Sequence, residues 1–267
     1  GFVGINGPYR YGDDADFDGI PDNVNSSAVG LQITNADFGM AFLTPTIIKM
    51  LTGGISVGGQ PSFVVAKIMV ESASLVGIDP RLMSVRLDKL EVNVNTFIFG
   101  DPQLDTLLQI FGPPYINFKD SPSFKDFTED VNHDGILQVS EDRNQNKKID
   151  TAGWDMPAGG TNMIFIDFNE EIIQAKTRYA EINLFGAVQM SASMAFTKRS
   201  GQTLHLTDGH DAVVTTLEIG ISNANAFMGI PSMKDGRLTG YFYDSNGDGY
   251  IDSKDDVNTS AIGLAIR

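Results

Sequence analysis

The residues in this chain best suited to chemistry are acid and amide side chains set at alternate positions. Asp130, Asn132 and Asp134 are spaced by two, Gly135 follows, and Glu141 closes a twelve-residue segment. That spacing aims side-chain oxygens from positions one, three and five at a common centre. The Ile136 carbonyl joins from position seven, and a bidentate carboxylate from position twelve. Hard oxygen ligands in that number suit Ca²⁺. Gly135 falls at the sharp turn, where a residue without Cβ takes φ > 0 at little cost. A second segment begins at once, with Asp142, Asn144, Asn146, the Lys148 carbonyl and Asp150. It carries Lys147 where glycine is expected and Gly153 at position twelve, so Asp155 is a candidate to close it.

Two more such segments lie near the ends. DSNGDGYIDSKD places Asp244, Asn246, Asp248, the Tyr250 carbonyl, Asp252 and Asp255 in the same register, with Gly249 at the turn. Aspartate at position twelve is shorter than glutamate, which weakens bidentate closure. DADFDGIPDNVN supplies Asp14, Asp16, Asp18, the Ile20 carbonyl and Asp22, with Asn25 at position twelve. Inserts at 13–25, 130–155 and 244–256 thus predict three to four Ca²⁺ ions. The plainer alternative is a set of polar Asn/Asp-rich turns. The segment at 130–141 resembles an EF-hand loop, and the first insert resembles the thrombospondin type 3 calcium repeat. The last resembles the loop of dockerin modules. A dockerin follows each loop with an amphipathic helix, whereas strand-like TSAIGLAI follows here, which argues against that module.

Charge points the same way. The chain has 34 acids against 19 bases, net −15, and half of those acids lie in or beside the inserts. Four bound Ca²⁺ would bring the net charge to about −7. Charge so focused suits a divalent cation and repels nucleic acid. Cysteine is absent. A secreted protein without disulfides needs another cross-link, and calcium at extracellular levels can serve. No run of eighteen apolar residues exists, so no membrane span is expected. The chain starts at Gly1 with neither Met nor signal peptide, which reads as a mature fragment or part of a longer polypeptide.

The elements that must hold these loops are strands. LQITNADFGMAF (31–42), IMVESASLVGI (68–78) and LEIGISNANAFMGI (217–230) share aliphatic alternation, a small polar kink, then apolar residues with glycine. SVRLDKLEVNVNTFIF (84–99) and AEINLFGAVQMSASMAF (180–196) alternate with period two. All five predict strands with one face buried, and the kinks predict bends or bulges. Helical turns are predicted over 47–51 and 102–111, and a loop over 112–128. The chain also repeats itself. NVNSSAVGLQI (23–33) matches DVNTSAIGLAI (256–266) at an offset of 233, and GFVGINGP (1–8) matches AFMGIPS (226–232) at 225. Residues 1–267 therefore read as one long β repeat of about 225–233 residues plus the start of the next, as in a tandem array. The final TSAIGLAIR reads as an unfinished edge strand. The expected fold class is all-β, a β-solenoid-like or β-sandwich repeat with calcium-loop inserts; two β-sandwich subdomains are the alternative.

AVGLQITNADFGMAFLTP, SASLVGID, LEVNVN, LTDGHDAV and LEIGISNANAFMGI, with the acidic inserts, resemble the long repeats of giant bacterial cell-surface and extracellular proteins. The resemblance implies an all-β, calcium-binding, secreted array, located outside the cell or on its surface, used for adhesion, surface layers or filaments. Neighbouring copies of the chain are the implied partners. An adhesin that binds a carbohydrate or protein ligand is the alternative function. No phosphate loop, nucleophile elbow or HExxH occurs, so an enzyme is not expected. His205 and His210 flank LTDG, where a turn between strands is expected rather than acid–base chemistry. Trp154 is expected to pack beside the second calcium segment.

Overall fold

The computed structural model describes residues 1–17, 20–44, 62–98, 115–124, 128–142, 147–159 and 162–267. The helical turns predicted over 47–51 and 102–111 lie outside the described residues. In chain order the strands are β1 (Phe2–Ile5), β2 (Arg10–Tyr11), β3 (Asn23–Val24), β4 (Val29–Leu43), β5 (Ser62–Val76), β6 (Met83–Ile98) and β7 (Trp154–Gly159). There follow β8 (Asn162–Ile166), β9 (Ile172–Leu184), β10 (Val188–His205), β11 (Asp211–Ile230), β12 (Ser232–Lys234), β13 (Arg237–Thr239) and β14 (Ile262–Ile266). The protein is all-β. No helix among the described residues is long and apolar enough to cross a membrane.

Eight strands form one antiparallel sheet in the order β1-β4-β5-β6-β9-β10-β11-β14. Each long strand pairs with its neighbours in sequence, the arrangement that short hairpins and period-two alternation favour. The stretch 180–196, predicted as one strand, is two. Phe185 and Gly186 both take φ > 0, at 55° and 67°, and Ala187 N–H donates to the Leu184 carbonyl at 2.9 Å. Positive φ at both central residues is the type I′ condition, whose twist suits a hairpin. A phenylalanine at such a site hides the turn from sequence reading. The LTDG turn does form, with Gly209 at φ 86° and β10 and β11 closing on the pair His205–Asp211.

The polar kinks interrupt the ladder, as one-for-one gaps between β4, β5 and β6 and as register shifts along β10. Thr34 pairs with Ser72 and Ala36 with Val70, leaving Asn35 and Glu71 out of the ladder. Lys89 is passed over beside Glu71, with which it forms an ion pair, and further register breaks fall at Ala192/Met194 and Ser191/Ser193. Asn35, Lys89 and Asn223 take φ of 47°, 53° and 52°. An extra residue adds local twist, as at the register shifts Ser191/Ser193 and Ala192/Met194 on β10.

Two lobes pack on the sheet. Val65 of β5 meets Phe118, Met156, Ile164 and Ile166, with Ala41, Leu43 and Met69 against them. At the other end Phe227 meets Phe242 and Ile251. On the side away from its lobe the sheet carries apolar side chains of mixed exposure, Val64 and Ala66 being buried there, because direct cross-strand partners share a face and alternate residues do not. Phe42, Ile219, Met228 and Leu264 are each at least 59% exposed there.

The two edges of the sheet are copies of one another. Phe2–Ile5 pairs with Gln32–Val29, and Phe227–Ile230 pairs with Ala265–Ile262, residue for equivalent residue. Gly4 faces Gly30, and Gly229 faces Gly263, so tightly that a Cβ on Gly4 or Gly229 would lie 2.7 Å from the opposite Cα. In each pair a phenylalanine ring, Phe2 or Phe227, covers the glycines. Gly263→Ala is therefore expected to pry β14 from β11. Hydrogen exchange at Ile262–Ile266 should quicken at least tenfold while β5 and β6 keep their protection.

Candidate metal centre

The acidic segments from Asp130 and Asp244 share a backbone design. In the loop from Asp130, Gly135 N–H donates to Asp130 Oδ2 at 2.8 Å, Asp134 N–H to Asn132 Oδ1 at 3.0 Å and Ile136 N–H to Asp134 Oδ1 at 2.8 Å. In the loop from Asp244 the same positions give Gly249 to Asp244 Oδ2 at 2.8 Å, Asp248 to Asn246 Oδ1 at 2.9 Å and Tyr250 to Asp248 Oδ1 at 3.0 Å. Position twelve also reaches inward in both. Glu141 Oε2 accepts from Gln138 N–H, and the Asp255 carboxylate accepts from Ser245 and Asp252 N–H. The same net thus occurs twice, more than a hundred residues apart.

The segment from Asp142 follows the pattern despite its departure in sequence. Lys147 takes φ 63° where Gly135 and Gly249 take 76° and 84°, and its N–H donates to Asp142 Oδ2 at 2.9 Å. A side chain in that conformation costs about 1–2 kcal/mol, a cost that glycine avoids. Lys147→Gly is expected to stabilise the protein by about 1 kcal/mol, read as a higher urea midpoint at unchanged slope. Asp150 N–H donates to Glu129 Oε2 at 3.1 Å, and Glu129 N–H to the Asp150 carbonyl at 2.9 Å. Glu129 is fully buried and staples the head of one loop to position nine of the next. Asn144 and Asn146 lie outside the described residues, as do Asp18 and Gly19. Gly153 offers no side chain, and a Cβ there would strike the Phe165 ring at 2.2 Å. Asp155 sits in β7 opposite Phe165.

In the first insert Ala15 N–H donates to Asp22 Oδ2 at 2.9 Å, as Ser245 does to Asp255. Asp22 thus acts as the closing residue of a shorter loop, and Asn25, expected at position twelve, has other work. Its amide donates to the carbonyls of Asn6 and Pro8 at 2.7 and 3.3 Å and accepts from Ser27 N–H. Asn258 repeats this, donating to the Ser232 and Thr239 carbonyls and accepting from Ser260 N–H. These two asparagines stand between an acidic loop and the next strand and clamp that point to the backbone upstream of the loop. Their shared place in NVNSSAVG and DVNTSAIG was the signal that could have found them.

The sheet grips the last loop through side chains that carry no motif. Arg86 donates to the Gly249 carbonyl at 2.5 Å, and its guanidinium lies 4.6 Å from the centre of the Tyr250 ring. Tyr179 accepts from Ile251 N–H at 3.0 Å and donates to Glu181 at 2.7 Å. Burial pushes its hydroxyl above the ordinary range, and the Glu181 carboxylate adds to the shift. It therefore stays a neutral donor at any working pH. Asn225 and Ser191 donate to the Ile251 carbonyl, each at 3.3 Å. On the far lobe Trp154 stacks on Phe118 and Phe124 in the apolar cluster.

Among the described residues no three Asp, Glu or His side chains converge into a ready metal cage. The acids of the loops instead accept N–H groups of their own turns. The proposed donors of the loops are oxygens throughout, which would suit a hard cation, and among the described residues the turns at Gly135, Lys147 and Gly249 are formed. Comparison with protein-family models, with curated proteins and with solved structures returned no match.

Proposed function

We propose that this chain is a structural repeat of an extracellular or cell-surface array, stiffened by Ca²⁺ held in its acidic loops. The observation that carries this reading is the placement of two loops at equivalent junctions. The inserts at 13–25 and 244–256 carry an asparagine clamp at their end or two residues past it, Asn25 or Asn258, and lead into matching strands, β4 and β14. A cation there would fix the angle at which one section of sheet meets the next. The oxygen donors would bind and orient it, and the loops would lose the mutual repulsion of their carboxylates. Extracellular millimolar calcium suits loops whose closing residue is an aspartate.

Calorimetric titration of the metal-stripped chain tests this. Three to four ions are expected to bind at micromolar to millimolar affinity, and magnesium, which demands tighter octahedral geometry, should not displace them. Absence of binding heat up to several millimolar calcium would rule the reading out.

A further inference from the structure

We infer that a second copy of this chain joins the sheet edge to edge, its β11 taking the place that β1 holds beside β4. This deepens the repeat reading and rests on it, but not on calcium. The first support is the duplicated edge. Phe2 over Gly4 and Gly30 has the same geometry as Phe227 over Gly229 and Gly263, so β1 stands beside β4 as β11 stands beside β14. By the same equivalence β14 occupies the slot of a neighbour's β4.

The second support is length. β4 has 15 residues, yet β1 pairs only with Val29–Gln32. β11 has 20, yet β14 pairs only with Ala226–Ile230. Among the described residues no strand pairs with the outer edge of β4 over 34–43 or of β11 over 211–225. Both stretches carry an asparagine with φ near 50°, Asn35 and Asn223, and with Phe227 opposite Gln32 these two fall one position apart across the junction. Exposed edges are normally guarded by lysine, proline or shortness. Neither stretch contains lysine or proline, and both are long. Sidedness also carries over, because Val3, Ile5, Met228 and Ile230 all lie opposite the covering phenylalanines and are at least 66% exposed. In joining, β11 takes the place of β1 and pairs with backbone groups farther along β4.

The chain has no cysteine, so an introduced pair reports the junction cleanly. Met228 pairs with Leu264, the equivalent of Leu31. Met228→Cys with Leu31→Cys is therefore expected to give a disulfide-linked ladder of dimers and larger species under mild oxidation. Within one molecule the two positions are five strands apart at about 4.8 Å per step, far beyond disulfide reach. Met228→Cys with Gln32→Cys places the thiols on opposite faces and should give no ladder. Both pairs are oxidised in calcium and in EGTA, in the full chain and in a form lacking residues 1–5, where the β4 edge is open. A ladder specific to the first pair in either form supports the junction. No ladder in both forms up to millimolar protein, or equal yields from the two pairs, overturns it. Loss of calcium binding with the ladder intact would instead count only against the calcium reading.

Discussion

Withdrawing calcium is expected to lower the melting temperature by on the order of 20 °C. At a hundredfold excess over its dissociation constant each independent site contributes about 2.7 kcal/mol. Three sites sum to about 8 kcal/mol, and for a chain of this size each kcal/mol moves the midpoint by about 2–4 °C. The loops explain why the effect should be cooperative. Asp130 and Glu129 are buried at the root of one lobe, and Ile251 is bound to Tyr179, Ser191 and Asn225 at the root of the other. Loosening either loop therefore loosens the apolar cluster it is tied to. Asp134→Ala and Asp248→Ala should each lose about 5–10 °C in calcium and less in EGTA, since one site disappears together with the exposed hydrogen bonds that the carboxylate accepts within its loop. Scanning calorimetry with and without EGTA checks both. Identical melts in the two buffers would sink the idea.

What the sequence disclosed depends on how local the cause is. Alternation over 31–42, 68–78 and 84–99 places three central strands, because side-chain direction along a strand repeats every two residues. Asn35 and Asn223 were legible as kinks, since asparagine tolerates the left-handed region. Loop geometry was legible at Gly135 and Gly249 for the same kind of reason. Phe185 was not, because its turn is fixed by the pairing of β9 with β10 and not by its own preference. Nor were Arg86, Tyr179 and Glu129, whose partners Gly249, Ile251 and Asp150 lie 163, 72 and 21 residues away. Charged and aromatic residues in a strand look like surface until the fold brings a loop down on them. The repeat stood out at once, yet only the facing glycines tell that its two copies build the same strand pair.

Replacing Arg86 by methionine is expected to cost about 3–5 kcal/mol and to melt the protein on the order of 10 °C lower. Arg86 forms a two-pronged ion pair with Asp88, Nε to Oδ1 at 3.0 Å and Nη2 to Oδ2 at 2.6 Å. Asp88 is only 4% exposed, so the substitution strands a buried carboxylate, and that is where most of the cost arises. The remainder is the guanidinium's contact with Tyr250 and its bond to the Gly249 carbonyl, which hold the turn of the last loop. Two effects can therefore be separated. Arg86→Met combined with Asp88→Leu removes the stranded charge and should recover most of the melting temperature. It should not recover calcium affinity at the loop from Asp244, which loses its anchor in both variants, while the loop from Asp130 binds as before. A single variant that melts within about 2 °C of the parent, a shift of 1 kcal/mol or less, would show that the pair does not anchor the lobe.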